Sequence, residues 1–200
     1  MASKSSRSLW SNKLAGAALA PDGTLSLARA KPGAGIGLRK AFDGHVLGVD
    51  PSLRGTGLAV VEFRPGHEPR LCASLTLKLP PKHDMPYCLG EIYKAVADMI
   101  EAWPVRHAAF EQTIYVQNFA TAQILGAARG AAIAAASVLG KPVFEYAPLR
   151  VKQAVVGHGR AEKEQVAGMT RQLLHLPESL PLDESDAAAV ALCHAFTWRE

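Results

Sequence analysis

Short apolar runs separated by turn residues dominate the chain from His45 onwards. The runs HVLGVD and GLAVVEF predict two buried strands joined by a tight turn, because each run is short, apolar and rich in β-branched residues. The run RLCASLTLKL alternates apolar and polar residues, as a half-exposed third strand does. Two further runs, VRHAAFEQ and PVFEYA, predict a fourth and a fifth strand.

Apolar residues at helical spacing lie between and after the later strands. The segment MPYCLGEIYKAVADMIEAW places an apolar residue every three or four positions and ends before Pro104. A second, long helix of small residues is predicted over 118–139 and ends at Gly140, and two more are predicted over 161–174 and 183–198. Three consecutive strands followed by alternating helices and strands predict an α/β fold with a five-stranded mixed sheet flanked by helices.

Charge divides the chain into two parts. Residues 1–45 carry seven lysines and arginines and two aspartates, a net charge of +5, whereas residues 46–200 carry a net charge of −1. Residues 1–45 also lack any regular hydrophobic period, which predicts a basic, disordered arm before a folded domain over 46–200. An organelle-targeting peptide has a similar composition and is the less favoured alternative for this arm. Nucleic-acid binding by the domain therefore depends on local basic residues rather than on its overall charge.

Cysteine content and hydropathy restrict the cellular setting. The three cysteines are odd in number and form no C-x-x-C pair, which favours a reducing compartment over a disulfide framework. The most apolar long stretch, 119–139, contains Arg129 and consists mostly of alanine and glycine, so we predict a buried or interface helix and no membrane span. A cytoplasmic protein is expected on these grounds.

Acidic residues occur at the ends of three predicted core elements. Asp50 follows the first strand, Glu111 ends the fourth strand, and Asp183 and Asp186 lie three residues apart at the start of the last helix. Burying these carboxylates together is unfavourable unless a cation shares the space, and an all-oxygen set of ligands suits Mg²⁺ or Mn²⁺. The pattern therefore favours a metal-dependent reaction on phosphodiesters.

Ordinary structural roles remain as alternatives for each acid. Asp50 could cap the turn that follows it, and Glu111 could be an exposed residue at a strand end. Asp183 at the N-cap and Asp186 at the third helical position would satisfy free amides at the helix start. Glu184, on the neighbouring helix face, is predicted to be solvated.

Basic residues cluster between the fifth strand and the next predicted helix. Lys152, Arg160 and Lys163, together with the backbone amides of a glycine-containing loop, are suited to hold phosphates. The same charge pattern would also suit a solvated loop.

Five motifs, in order, resemble the RuvC family of Holliday junction endonucleases, which belongs to the ribonuclease H-like superfamily. They are VLGVDPSLRGTG, FEQTIYVQN, ARGAAIAAA, PVFEYAPLRVKQAVVGHGRAEKEQV and LDESDAAAVALCHAF, and they extend over about 46–196. The resemblance implies a ribonuclease H-like fold and a homodimer that cuts two opposed strands of a four-way DNA junction. It further implies a branch-migration helicase as a partner.

The same resemblance implies roles for individual residues. The metal-binding catalytic carboxylates would be Asp50, Glu111, Asp183 and Asp186, holding two Mg²⁺ ions per subunit, with Mn²⁺ as a substitute. Lys152 and Lys163 would act at the active site or on DNA phosphates, and the helix containing 127–135 would form the dimer contact. Two positions depart from the family pattern: Ser52 stands where many members have glycine, and Ile114, with Tyr115 beside it, stands where many have an aromatic residue that stacks on the junction.

Three other functions remain as alternatives from the residues. A different ribonuclease H-like nuclease would act on RNA–DNA hybrids or structured RNA. An actin-like ATP-binding protein would use the hairpin after Asp50 to hold phosphate, although such proteins need two domains of this size. A junction-binding protein without catalysis would use the acids only as helix caps.

Overall fold

A single mixed sheet forms the centre of the protein in a computed structural model that describes residues 41–112 and 118–199. Its strands are β1 (Gly44–Asp50), β2 (Gly55–Phe63), β3 (Arg70–Lys78), β4 (Val105–Glu111) and β5 (Val143–Tyr146). The spatial order is β3-β2-β1-β4-β5; β1 is antiparallel to β2 and parallel to β4, and β4 is parallel to β5. All five predicted strands are confirmed, and the predicted mixed sheet with them.

Helices cover both faces of the sheet. They are α1 (Met85–Ala102), α2 (Phe119–Val138), α3 (Pro148–Val156), α4 (Lys163–Leu173) and α5 (Leu182–Thr197). The sequence pattern did not predict α3, because a helix of nine residues with only two buried positions, Val151 and Val155, leaves little periodic signal. It begins with a proline at its first turn, where the missing amide costs nothing.

Two hydrophobic cores lie on opposite faces of the sheet. On one face, α5 packs with α3 and α4 against inward-facing residues of β1, β2 and β4. On the other face, α1 and α2 cover residues such as Leu47 and Phe110. By length and hydropathy α2 could cross a membrane. On the side of this helix that faces the sheet, Ala128, Ala132 and Ala135 are fully buried in the second core.

Close packing of α5 on the sheet depends on glycine in the strands. A Cβ atom added at Gly48 of β1 would collide with the backbone carbonyl oxygen of Ala187 in α5. The facing side of α5 is itself alanine-rich, with Ala187, Ala188 and Ala191 fully buried. Small residues on both elements therefore let α5 lie directly on β1, which fixes the position of its first turn.

Most of the predicted arm, 1–45, lies outside the described residues. At its described end, Phe42 is buried at 4% exposure among the rings of Phe63, His107, His194 and Trp198. Strand β1 begins at Gly44, so the ordered domain includes the last residues of that segment.

Candidate active site

Two acidic side chains meet where β1 and β4 end. Asp50 is the last residue of β1 and Glu111 is the last residue of β4, and the register of the parallel pair places Val49 opposite Phe110. Because parallel neighbours end at the same edge of a sheet, the next residues of the two strands lie side by side. Their carboxyl groups share a hydrogen bond.

The third and fourth acids lie in the first two turns of α5. The helix begins at Leu182 after Pro181, which has no side chain that can cap it, so Asp183 is the second helical residue and Asp186 the fifth. The alternative that this pair caps the helix is therefore wrong. The backbone of Asp183 packs against Gly57 of β2, where an added Cβ would collide with the Asp183 carbonyl oxygen. The first turn thus rests on the hairpin that follows Asp50.

A cavity of about 330 Å³ opens at this edge of the sheet. Its charged lining consists of Asp50, Glu111, Asp186, Lys152 and Lys163, while side chains of α2, α3 and α4 supply apolar walls. Asp183 is not among the described residues that line the cavity, although its charge contributes to raising the pKa of Asp50. The structure therefore gathers three of the four predicted acids around one space and places the fourth next to it.

Burial and mutual repulsion dominate the electrostatics of the two strand-end acids. Burial, and then the charge of Asp186, raises the pKa of Asp50 to about 6. Burial, and then the charge of Asp50, raises the pKa of Glu111 to about 8. In the hydrogen bond between them, protonated Glu111 donates to the Asp50 carboxylate, because this bond raises the pKa of Glu111 and lowers that of Asp50. The pair thus retains a proton near neutral pH in place of the cation that would compensate its charge.

Lys163 is the cation in direct contact with this cluster. Its Nζ lies 3.1 Å from Oδ2 of Asp186, and the hydrogen bond raises the pKa of the lysine. The Lys163 side chain is 65% exposed whereas that of Asp186 is 18% exposed, so the ammonium approaches from the open side. This geometry suits a lysine that contacts both a site carboxylate and an incoming phosphate.

The other predicted DNA contacts differ in how close they lie to the cavity. Lys152, on α3, lines the cavity. Arg160, in the loop between α3 and α4, is exposed and is not among the described lining residues. Ile114 and Tyr115 lie outside the described residues.

Sequence analysis missed the polar contacts that hold the hairpin after Asp50. The buried Thr56 hydroxyl donates to the carbonyl oxygen of Ser52 at 2.5 Å and accepts from its amide at 3.2 Å. The Arg54 guanidinium donates to the carbonyl oxygens of Pro80 at 2.8 Å and His83 at 3.0 Å, on the connection to α1. A threonine between two glycines in an otherwise apolar strand was the available sequence signal for the first contact. Hydrogen bonds within the hairpin and to the loop before α1 therefore stabilise its conformation.

Glu184 is held by hydrogen bonds from β3, so the prediction that it is solvated is wrong. Its Oε2 accepts a hydrogen bond from the Ser74 hydroxyl at 2.5 Å, and its Oε1 accepts one from the Thr76 hydroxyl at 3.1 Å. The edge strand β3 lies against the start of α5, and a pattern along the helix alone does not reveal this contact.

A second group of metal-type ligands lies at the opposite end of the strands. The ligand atoms of His45, Glu62 and Cys72 lie within 4.8 Å of one another. Arg64 and Arg70 already donate to the Glu62 carboxylate at 2.6 and 3.0 Å, so its charge is compensated by the protein. His45 is five residues before Asp50 on β1, and this group is therefore separate from the acidic cavity.

Comparisons with known proteins indicate the family of this chain. The family model described as crossover junction endodeoxyribonuclease RuvC matches residues 46–194. A protein of that name from Halorhodospira halophila is 45% identical over 151 residues, which cover 76% of this chain and 89% of the relative. Another from Geotalea uraniireducens is 43% identical over 150 residues, covering 75% and 87%.

Solved structures show the same fold. Thermus thermophilus RuvC in complex with a Holliday junction substrate superimposes with a TM-score of 0.72 at 36% identity, covering 76% of this chain and 93% of that one. A yeast mitochondrial Holliday junction resolvase shares the fold alone, with a TM-score of 0.57 at 10% identity. The ribonuclease H-like α/β architecture that the sequence predicts is thereby confirmed, as is the predicted function of a crossover junction endodeoxyribonuclease. The chain belongs to the crossover junction endodeoxyribonuclease RuvC family.

Proposed function

We propose that two copies of this chain bind a four-way DNA junction and cut two opposed strands in a reaction that requires Mg²⁺. The observation that carries this proposal is the acidic cavity, in which Asp50, Glu111 and Asp186 converge from separate elements with Asp183 beside them. The Thermus thermophilus relative in complex with a Holliday junction supports the choice of substrate.

The donor set fits a hard divalent cation. Every acidic ligand offers carboxylate oxygens, which Mg²⁺ and Mn²⁺ prefer, and neither histidine nor thiol lines the described part of the cavity. The raised pKa values of Asp50 and Glu111 indicate that the protein alone leaves this negative charge under-compensated. We propose that Asp50, Glu111, Asp183 and Asp186 hold two Mg²⁺ ions, for which Mn²⁺ can substitute.

Mg²⁺ held by Asp50, Glu111, Asp183 and Asp186 would supply an activated water and would stabilise charge on the leaving 3′-oxygen, so that the cut would carry a 5′-phosphate. The protein's own contribution is to place the scissile phosphate. Lys163 and Lys152 line the cavity from α4 and α3 together with the acids, so a phosphate that enters it meets two ammonium groups beside the carboxylates. The bond from Lys163 to Asp186 keeps that ammonium at the site before DNA arrives.

Two-fold assembly explains how opposed strands are cut together. The outward side of α2 presents a stripe of small or polar residues after an exposed ring: Phe119, Gln123, Gly126, Gly130, Ala134 and Ser137. A Cβ added at Gly126 or Gly130 would have no other described part of the chain within 4 Å, so the stripe leaves room for a second helix at close range. We propose this face as the dimer contact, which relates two active sites by a two-fold axis. The resemblance to the family is the basis for also proposing a branch-migration helicase as a partner.

A cleavage assay tests the proposed function directly. The full chain is incubated with a labelled four-way junction, a linear duplex of the same sequence and an RNA–DNA hybrid, each with Mg²⁺ or with EDTA. We expect paired nicks on opposed strands of the junction, with Mg²⁺ only. Faster cutting of the hybrid would favour the alternative ribonuclease H-like activity, and cutting in EDTA would contradict the metal requirement.

A further inference from the structure

The first turn of α5 needs a restraint that the helix itself does not provide. This turn carries Asp183 and leads directly into Asp186, and the negative charges of both aspartates repel that of Asp50. The turn begins after Pro181, so the described structure offers it no capping side chain of the kind that usually anchors a helix start. Another contact must therefore keep Asp186 at the cavity and Asp183 beside it.

Glu184 provides contacts of the required kind. It lies between the two aspartates in sequence, but its carboxylate turns away from the cavity and accepts hydrogen bonds from Ser74 and Thr76 of β3. These hydroxyls lie two residues apart and therefore on one face of the strand. The carboxylate bridges them with one oxygen each, at 2.5 and 3.1 Å.

These contacts connect three elements, because α5 touches β3, β3 pairs with β2, and β2 touches α5. Thr76 is paired with Gly57 in the register of β3 and β2, and Gly57 in turn contacts the backbone of Asp183. Successive helical residues point about 100° apart, so one side of the turn is held on β3 by Glu184 while another rests on β2. Contacts on two sides of a helix fix both its rotation and its height above the sheet.

We propose that Glu184 is a positioning residue that holds the first turn of α5 on β3 and so orients Asp183 and Asp186 for divalent cations. This proposal rests on the proposed function, because it assumes that these aspartates bind the metal. A carboxylate suits the role because hydrogen bonds to an ionised acceptor are stronger than those to a neutral one. Its negative charge also lies at the helix start, where the helix dipole favours it.

The experiment measures metal binding rather than activity alone. Isothermal titration calorimetry with Mn²⁺ on the full-length protein without DNA compares wild type, Glu184→Ala, Glu184→Gln and the double variant Ser74→Ala/Thr76→Val. Replacing a group that orients a metal ligand weakens metal binding by tenfold or more, so we expect the Mn²⁺ Kd to rise about tenfold in Glu184→Ala and in the double variant. Combining all three substitutions should add little, because either change already removes the same contact.

The Glu184→Gln variant distinguishes the hydrogen bonds of this side chain from its negative charge. Glutamine retains a hydrogen-bonding group for each hydroxyl but carries no charge, so we expect a Kd within about threefold of wild type, a difference below 1 kcal/mol. Junction binding in EDTA should not change in any of these variants. Glu178→Ala, which removes an exposed carboxylate from the loop before α5, is the matched control and should bind Mn²⁺ as wild type does.

Several outcomes would overturn the proposal. A Glu184→Ala protein with wild-type Mn²⁺ affinity, or additive effects of the helix and strand substitutions, would show that the contact does not position the ligands. A Glu184→Gln protein that binds Mn²⁺ as weakly as Glu184→Ala, together with a Ser74→Ala/Thr76→Val protein of normal affinity, would show that the charge of Glu184 acts directly and that its contact with β3 does not position the ligands. If Glu184→Ala fails to fold, Ser74→Ala and Thr76→Val singly supply the same comparison. Wild type that binds no Mn²⁺ would refute the proposed metal site itself, whereas normal wild-type binding with unaffected variants refutes only the role of Glu184.

Discussion

Asp50 and Glu111 lie next to each other at the ends of two parallel strands and share a hydrogen bond that requires one of them to be protonated. Buried carboxyl pairs of this kind are stable with a proton or with a cation, and unstable with neither. The ends of the two strands therefore form an acidic site whose negative charge must be compensated by a bound proton or cation. This relationship connects the fold of the protein with the metal dependence that we propose.

Replacing Asp50 tests whether this pair performs the chemistry. We expect Asp50→Asn to abolish junction cutting, because the amide supplies one neutral oxygen where a metal needs an anionic one. Binding of the junction in EDTA should stay within about threefold of wild type, since phosphate contacts come from lysines. Asp98→Asn, an exposed substitution on α1, is the control and should cut normally. Near-normal cutting by Asp50→Asn would remove this residue from the mechanism.

Stability of the metal-free protein should depend on pH in a defined direction. The folded pKa of Glu111 is about 8, against 4.5 for an ordinary glutamate, so the folded state holds a proton that the unfolded state has already lost. The stability gained from that proton is complete below about pH 4.5 and is lost as the pH rises through about 8. Asp50 contributes in the same direction, and its share is lost as the pH rises from its ordinary pKa of 3.8 through its folded pKa of about 6.

Buried His194 acts in the opposite direction at lower pH. Burial lowers its pKa to about 3, against 6.5 for an ordinary histidine, so stability is lost as the pH falls below 6.5. Urea unfolding between about pH 6.5 and about pH 9 therefore isolates the carboxyl effect. We expect the free energy of unfolding to decrease across this range in EDTA and to change much less in Glu111→Gln. An increase with pH in EDTA would contradict the assigned burial of the acid.

Sequence patterns were sufficient to predict the acidic residues of the site that lie at strand ends. Asp50 and Glu111 each follow a short apolar run, and two parallel strands in one sheet bring such residues together whatever the details of packing. The contacts of Glu184 could not be predicted in this way. They depend on how the edge strand β3 lies under α5, and its hydroxyls are about 110 residues away in sequence. The start of α5 was misjudged for a related reason, because Pro181 begins the helix without a capping side chain.

Gly57 is expected to be intolerant of any side chain. A Cβ at this position would overlap the carbonyl oxygen of Asp183, so Gly57→Ala must push the first turn of α5 away from β2. Overpacking of this kind costs about 1–3 kcal/mol of folding stability. We also expect weaker Mn²⁺ binding by calorimetry, because Asp183 moves with the turn. Gly90→Ala on the exposed side of α1, where an added Cβ meets no atom, is the matched control and should be neutral or slightly stabilising. Unchanged stability of Gly57→Ala would contradict the close approach of the helix.

Lys163 should matter for cutting but not for metal binding. We expect Lys163→Met to slow single-turnover cutting of the junction about a hundredfold, because an ammonium that stabilises the transferring phosphate is removed. Its Mn²⁺ affinity without DNA should be equal to or higher than that of wild type, since Lys163 competes with metal for Asp186. Lys94→Met, on α1, removes a lysine that is likewise paired with a carboxylate, that of Glu91, and should leave cutting unchanged. Loss of metal binding in Lys163→Met would instead assign the lysine to the structure of the metal site.

The outward face of α2 offers a test of assembly that is independent of the acids. Gly130 lies in the middle of the small-residue stripe, and an arginine there would prevent a second helix from approaching closely. We expect Gly130→Arg to be a monomer by analytical ultracentrifugation at concentrations where wild type is a dimer. Gly90→Arg introduces the same side chain on α1, where there is also open space, and should remain dimeric. Because each monomer retains its four acids, Gly130→Arg should still bind Mn²⁺ while losing the paired nicking of opposed strands. A dimeric Gly130→Arg protein would exclude this face as the contact.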